Sequence, residues 1–184
     1  EITHQAMNGT LDFSEALKTR IQMLNLHRDD INQVVSVIKN RVSLSFVKNR
    51  NRIRALHENI YIISGGFKEI ITPIVKDYGI HENHVFANEF RYDENGYIVG
   101  VDETSMLSYS DGKIRALQSL NLDNGAYAIG DGSTDLEMKQ VDGVKAFICF
   151  IENIDRISVS EKADYVASDL DEVFRIIEKA EPHG

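Results

Sequence analysis

Apolar residues recur at two different periods along the chain, and the period changes near residue 58. In the first part, spacings of three and four residues predict amphipathic helices. The apolar positions there form three groups: Phe13, Leu17, Ile21 and Leu24; Ile31, Val34, Val35 and Ile38; and Phe46, Val47 and Ile53. We therefore expect residues 1–57 to form a small helical lobe.

Beyond residue 58, short β-branched and aromatic runs alternate with helical patterns, which predicts a parallel sheet with right-handed crossovers. The predicted strands are NIYIISGG, AYAIG, VKAFICF and DYVAS, and the predicted helices are FKEIITPIVKDYG, STDLEMKQV and two that begin near Asp111 and Asp169. Asn95-Gly96 lies between two alternating segments and predicts a β-hairpin. The expected fold is therefore α/β, a Rossmann-like parallel sheet in residues 58–184 beside the helical lobe.

Composition and charge narrow the class of protein. The chain has 20 Lys and Arg against 29 Asp and Glu, a net charge of −9, and 42% hydrophobic residues. Nucleic acids and anionic membranes are bound by clustered cations, so we expect neither as a partner. No apolar run approaches the roughly 20 residues of a membrane span. The single cysteine, Cys149, lies in an apolar run and predicts a buried thiol in a reducing compartment, so we expect a cytoplasmic protein.

Two glycine-containing segments follow predicted strands, where ligands bind in open α/β sheets. Ser64, Gly65 and Gly66 combine a hydroxyl with exposed backbone N–H groups before a helix, which favours a phosphate site. An ordinary turn is the alternative. Asp131 and Asp135 lie one helical turn apart and could hold Mg²⁺, which prefers oxygen ligands. Alternatively, Asp131 forms a turn and Asp135 is a first-turn acid favoured by the helix dipole.

Four further positions could carry chemistry. Lys113 begins a predicted helix, where a cation is unfavourable and indicates a nearby anion; a solvated lysine is the alternative. Arg20 borders the first apolar group and, like most such arginines, could simply extend to solvent. Asp169 and Asp171 have the D-x-D spacing of paired catalytic carboxylates, although helix capping by Asp169 explains that position more simply.

The order Ser-Gly-Gly, then Lys, then Gly-Asp-Gly-x-x-Asp resembles the haloacid dehalogenase superfamily, and within it the phosphoserine phosphatases. YIISGGF is similar to the second family motif, SDGKIRAL to the third and AIGDGSTDLEM to the fourth. The segment EITHQAMNGTLDFSEALKTRIQML resembles the start of the family's helical cap, and VFANEF and EKADYV also fit. The resemblance covers nearly the whole chain.

The resemblance implies hydrolysis of O-phosphoserine through an aspartyl-phosphate, in serine biosynthesis, with Mg²⁺ as cofactor. It implies that Asp131 binds the metal and that Asp135 supports it. The implied phosphate and substrate contacts are Ser64, Gly65, Gly66, Lys113 and Thr134 in the core, and Arg20, Met7 and Phe13 in the cap, with Arg20 pairing with the substrate carboxylate.

The chain departs from the family pattern at two points. Thr134 stands where the family usually has Asn, so one substrate contact would be a hydroxyl. The family's D-x-D, which supplies the nucleophile and the general acid, precedes the cap, whereas Glu1 already lies within the cap-like segment. We therefore expect the nucleophile upstream of residue 1 and negligible activity of these 184 residues alone. Two alternatives stay open: a phosphatase for another small phosphomonoester, and a non-catalytic phosphate-binding or regulatory module. A homodimer also stays open.

Overall fold

The computed structural model describes residues 19, 21, 23 and 25–181. The helices are α1 (Ile31–Lys39), α2 (Leu44–Lys48), α3 (Arg50–Ala55), α4 (Lys68–Val75), α5 (Gly112–Gln118), α6 (Ser133–Leu136), α7 (Ile157–Ser160) and α8 (Leu170–Ala180). The strands are β1 (Ile62–Phe67), β2 (Val85–Asn88), β3 (Phe90–Tyr92), β4 (Ile98–Val101), β5 (Ala126–Gly130), β6 (Val144–Phe150) and β7 (Tyr165–Ala167). Short 3₁₀ turns connect several of them.

The described strands form three separate sheets. β1 pairs with β2 in parallel, and β6 lies between β5 and β7 with both pairings parallel. β3 and β4 form an antiparallel hairpin around the predicted Asn95-Gly96 turn, where Gly96 has a φ of +89°. Parallel strands joined by helical crossovers confirm the predicted α/β class.

Contacts divide the chain into two compact units, which are described separately. The first takes in residues up to Arg41 and Ile53–Ala116, and the second takes in Val42–Arg52 and the residues from Leu117 onward. This division differs from the predicted one at residues 57 and 58, which stays a prediction.

The core of the first unit explains why its helical segment and its hairpin belong together. Helix α1 packs against α4, and the apolar face of α1 is buried together with side chains of the hairpin. The buried members are Ile21, Ile31, Val35, Phe90, Ile98 and Val101. The ring of Phe67, at the end of β1, stacks on that of Phe90 with 3.8 Å between centroids. β1 is therefore anchored immediately after its glycines.

Helix α4 contains Pro73 and continues into a 3₁₀ turn, Lys76–Tyr78. Gly79 ends this segment in the left-handed conformation, with a φ of +83°, as the sequence predicts.

The second unit is centred on β6. Phe147, Ile148 and Cys149 are fully buried in this middle strand, and Val173 of α8 is nearly so. The predicted burial of the Cys149 thiol is thus confirmed. Ser45 of α2 donates both its N–H and its hydroxyl to Glu152, which ties the segment 42–52 to the residues after β6.

The described part of the chain contains no helix with the length and apolar character needed to cross a membrane.

Candidate functional site

The Ser64–Gly66 segment interrupts the pairing of β1 with β2. Ile63 pairs with Phe86, but the next pair is Phe67 with Asn88, so β1 has two more residues than β2 in this interval. The strand was expected to end at the glycines, whereas it continues through them to Phe67. Its extra residues form a bulge that frees backbone groups from the ladder.

Within this bulge, the Ser64 side chain has a defined orientation. Its Oγ accepts the N–H of Gly66 at 3.0 Å. A hydroxyl has one hydrogen to donate and two lone pairs to accept with. Because Oγ acts as the acceptor here, the hydroxyl hydrogen remains for another acceptor. The bulge therefore offers a donor of the kind that binds phosphate oxygens.

Lys113 is the second residue of α5. The position of its backbone is fixed by the close packing of Gly112 against the Met106 carbonyl group. A Cβ added to Gly112 would lie 2.1 Å from the carbonyl oxygen of Met106. Only glycine permits this contact, which places the start of α5 directly against the 3₁₀ turn Met106–Ser108. That turn in turn contacts both β1 and β2. Ser64, Gly65, Gly66 and Lys113 all belong to the first unit.

In the second unit, Asp131 follows β5 and forms an ion pair with Arg156. The guanidinium of Arg156 donates Nη1 to Asp131 Oδ2 and, at 3.2 Å, to the Asp131 carbonyl oxygen. The Asp131 side chain is 44% exposed and that of Arg156 is 30% exposed. A half-exposed carboxylate at a strand end is thus held by a cation of the protein itself.

Asp135 is buried and stabilises the turn that contains Asp131. Its Oδ2 accepts the N–H of Gly132 at 3.0 Å, which satisfies a backbone donor at the start of α6. A Cβ on Gly130 would lie 2.3 Å from Asp135 Cγ, so glycine at position 130 makes room for this carboxyl group. Thr134 lies on α6, and in the sequence it stands between Asp131 and Asp135.

These oxygens suit Mg²⁺ in their chemistry. Mg²⁺ binds carboxylate oxygens, keeps several waters and commonly takes further ligands from a substrate phosphate. The partly exposed Asp131 carboxylate matches that requirement, and Asp135 orients the turn. Among the described residues, no group of three or more His, Cys, Asp or Glu side chains forms a complete metal cage. The Asp131 carboxylate, which is partly exposed, could bind one such cation.

Cys149 adjoins this acidic turn without being reactive. Burial raises the pKa of its thiol, and the nearby carboxylates of Asp155, Asp131 and Asp135 raise it further. The thiolate is the nucleophilic form of cysteine, so Cys149 is a poor nucleophile in this environment.

The predicted residues are thus distributed over both units. The first unit contains Ser64, Gly65, Gly66 and Lys113, and the second contains Asp131, Thr134 and Asp135. Met7, Phe13 and Arg20, predicted to contact the substrate, lie outside the described residues. The N–H of Gly66, predicted to contact phosphate, is donated to Ser64 Oγ.

Sequence reasoning did not identify Asn88, Gly112 or Arg156. Asn88 donates to Gly65 and Arg156 to Asp131 across 23 and 25 residues of sequence, respectively. Gly112 had a local signal, because a glycine at the start of a helix often marks a close backbone approach.

Comparison with known proteins gives one family. The family described as haloacid dehalogenase-like hydrolase matches residues 13–140. A chloroplastic phosphoserine phosphatase of Arabidopsis thaliana is 32% identical over 169 residues, which cover 90% of this chain and 57% of that protein. The phosphoserine phosphatase of Lactococcus lactis is 31% identical over 162 residues, covering 81% of this chain and 69% of that protein. The chain thus spans less than two thirds of the Arabidopsis relative.

Comparison with solved structures finds proteins of similar fold. The crystal structure of a phosphoserine phosphohydrolase-like protein from Francisella tularensis superposes with a TM-score of 0.76 at 24% identity. The match covers 96% of this chain and 82% of that one. At this identity the likeness establishes the fold.

Proposed function

Since the chain belongs to the haloacid dehalogenase-like hydrolase family, we propose that it forms the substrate-binding and charge-neutralising part of a phosphomonoester hydrolase whose substrate is O-phosphoserine. Relatives described as phosphoserine phosphatases support this choice of substrate. The observation that carries the proposal is the Ser64 hydroxyl, whose oxygen is occupied as an acceptor by Gly66 and whose hydrogen remains to bind an anion.

In this proposal the phosphoryl group is bound by donors and a cation. Ser64 donates its hydroxyl and Gly65 its backbone N–H, while the Lys113 ammonium offsets the charge that develops on the phosphoryl oxygens. Preorganised donors and positive charges are the main means by which proteins accelerate phosphoryl transfer. Because the rest of the chain has an excess of acidic residues, this local positive charge is essential for holding a dianion.

We propose Mg²⁺ as the cofactor and Asp131 as its ligand. When bound, the ion would neutralise phosphoryl charge and orient the phosphate. Asp135 would keep the turn in place by accepting the Gly132 N–H. Thr134 would contact the substrate through its hydroxyl.

The proposed mechanism needs an aspartate nucleophile and an acid partner. The nucleophile carboxylate attacks phosphorus, the bond to the seryl oxygen breaks, and the acid gives that oxygen a proton; water then hydrolyses the aspartyl-phosphate. In the printed sequence the D-x-D spacing occurs at Asp169 and Asp171. Asp169 Oδ1 accepts the Glu172 N–H and caps α8, so it has a structural role. We therefore propose that the catalytic D-x-D lies in a segment preceding residue 1.

We propose that residues of the helical lobe recognise the serine moiety of the substrate. We propose that Arg20 pairs with the carboxylate, because a guanidinium can bind a carboxylate with two parallel hydrogen bonds. Met7 and Phe13 would exclude water from the phosphoester.

A binding titration tests the anion site without requiring turnover. We expect the chain to bind inorganic phosphate and O-phosphoserine in calorimetry, and Lys113→Ala to weaken phosphate binding about tenfold or more. Lys39→Ala is the control, because Lys39 lies at the end of α1 and pairs with Asp77. Equal affinity of the Lys113 and Lys39 variants would contradict the role of Lys113.

Substrate identity is tested separately. The proposed substrate is supported if the protein prefers O-phosphoserine to phosphoethanolamine and the Arg20→Ala variant loses that preference. If Arg20→Ala does not change the preference, the substrate is a different small phosphomonoester. Tight binding with no turnover in a longer form that contains the upstream segment would indicate a non-catalytic binding module.

A further inference from the structure

Asn88, at the end of β2, is fully buried and makes two hydrogen bonds that connect separate segments of the first unit. Its Nδ2 donates to the carbonyl oxygen of Gly65 at 3.1 Å and to that of Leu107 at 3.2 Å. Its Oδ1 is buried and has no hydrogen-bond partner among the described residues. An unsatisfied buried acceptor is destabilising, so core stability alone does not account for an asparagine here.

The two sides of one peptide group are held by different side chains. The C=O of Gly65 and the N–H of Gly66 belong to the same planar trans peptide and point in opposite directions. The C=O is bound by Asn88 Nδ2, and the N–H is bound by Ser64 Oγ. Rotation of this peptide would break both hydrogen bonds. Asn88 therefore restrains the Gly66 N–H that donates to Ser64 Oγ.

We infer that Asn88 is a positioning residue, which fixes the Gly65-Gly66 peptide and thereby aims the Ser64 hydroxyl at the bound anion. This inference rests on the proposed function, because it assigns Asn88 a role in the same anion site. Asn88 itself does not contact the anion. It acts through the peptide, which occupies one lone pair of Ser64 Oγ and so directs the hydroxyl hydrogen away from that side.

The second bond of Asn88 extends this restraint toward Lys113. Leu107 lies in the turn Met106–Ser108. Gly112, at the start of α5, packs against the Met106 carbonyl of the same turn. The backbone that precedes Lys113 is thus connected to Asn88 by one hydrogen bond and one close contact. Asn88 therefore links the segments that carry both proposed anion-binding side chains.

The test compares Asn88→Leu with Ser45→Ala. Leucine keeps the number and branching of the side-chain heavy atoms of Asn88 and removes both N–H donors. Ser45 is also buried and hydrogen-bonded, but to Glu152 in the second unit. Amide hydrogen exchange at Gly66 and calorimetric titration with inorganic phosphate are measured in both variants. Exchange rates are interpreted after subtraction of each variant's change in global unfolding.

In Asn88→Leu we expect Gly66 to exchange about tenfold faster and phosphate to bind about tenfold more weakly, as for the loss of buried hydrogen bonds. In Ser45→Ala we expect neither change. Gly66 protection and phosphate affinity equal to those of Ser45→Ala would overturn the inference. If the unmodified chain binds no phosphate, the proposed function fails, while Gly66 exchange still decides whether Asn88 restrains the peptide.

A measurement on the unmodified chain covers the case in which Asn88→Leu does not fold. The side-chain amide hydrogens of Asn88 should exchange much more slowly than those of Asn83, which is exposed. Equal rates for the two side chains would overturn the inference.

Discussion

Arg156 forms an ion pair with Asp131, the carboxylate that we propose as the metal ligand. Its guanidinium binds both the side chain and the backbone carbonyl of Asp131. A divalent cation must share or displace this positive charge, because like charges near one carboxylate repel each other. We expect Arg156→Ala to bind Mg²⁺ severalfold more tightly, measured by competition with the paramagnetic line broadening of Mn²⁺.

Arg52→Ala is the matched control, because Arg52 pairs with Glu178 and its loss changes the net charge equally. A fall in cation affinity in Arg156→Ala would instead show that the arginine holds Asp131 in its binding orientation.

Glu69, in the first turn of α4, is a carboxylate in an unfavourable environment. Its Oε1 accepts the N–H of Phe90 at 2.8 Å, but its Oε2 is buried and has no hydrogen-bond partner among the described residues. Burial raises the pKa of Glu69, and the neighbouring Glu89 adds to that effect, although backbone hydrogen bonds oppose it. The folded chain therefore binds this proton more tightly than the unfolded chain.

This raised pKa predicts a pH dependence of stability. The contribution of Glu69 is fully present below the pKa of an unfolded glutamate, about 4.3, and is lost as pH rises through the higher folded value. We expect Glu69→Gln to match the unmodified chain in acid and to become more stable than it toward neutral pH, in urea unfolding. The exposed Glu94→Gln should show no such divergence. Parallel curves for Glu69→Gln and the unmodified chain would contradict the assignment.

At the scale of elements, α8 begins with a complete capping arrangement. Asp169 Oδ1 accepts the N–H of Glu172 at 2.7 Å, and Glu172 Oε2 accepts the N–H and hydroxyl of Ser168 at 2.9 Å. We expect Asp169→Ala to lower the free energy of unfolding by about 1 kcal/mol, the usual cost of a lost N-cap. Asp171→Ala, two residues further along the chain, should change it by less than about 0.5 kcal/mol. Urea unfolding measures both.

The same pair of variants separates capping from catalysis. In a form of the protein that hydrolyses its substrate, turnover should survive both changes. Loss of turnover in Asp169→Ala without loss of stability would point to the alternative D-x-D.

The elements were largely predictable because their signals are local. Helix α1 follows from its apolar spacing, the hairpin from Asn95-Gly96 and the end of the α4 segment from Gly79. Local signals also misled at one point, since Ser64–Gly66 has the composition of a turn but is retained in β1, between its paired residues Ile63 and Phe67. Strand pairing depends on β2, which lies some twenty residues further along the chain, so no local pattern reports it.

The candidate site residues were predictable to the extent that they follow apolar runs in the sequence. Ser64 and Asp131 were identified because they end apolar runs, whereas Asn88 and Arg156 become apparent through contacts between distant segments. An asparagine at a strand end is common, so its burial and its two carbonyl partners had to be observed.

At the scale of the whole molecule, binding and turnover should be separable. In the proposed function, the Ser64 hydroxyl and Lys113 bind an anion and Asp131 binds a cation. The proposed bond formation to phosphorus requires a further carboxylate, whereas Asp169 caps α8. We expect negligible Mg²⁺-dependent hydrolysis of O-phosphoserine by these 184 residues, and turnover by a longer form containing an upstream D-x-D, both followed by phosphate release. Mg²⁺-dependent turnover by the 184-residue chain would refute this proposal.

The fit of Gly112 against the Met106 carbonyl has a consequence for how this chain tolerates mutation. Even alanine would bring its methyl carbon within 2.1 Å of a backbone oxygen, and no rotamer can relieve that overlap. A saturation library scored for folded protein should therefore recover glycine almost alone at position 112. Variants in which Lys113 is changed should still require glycine at position 112.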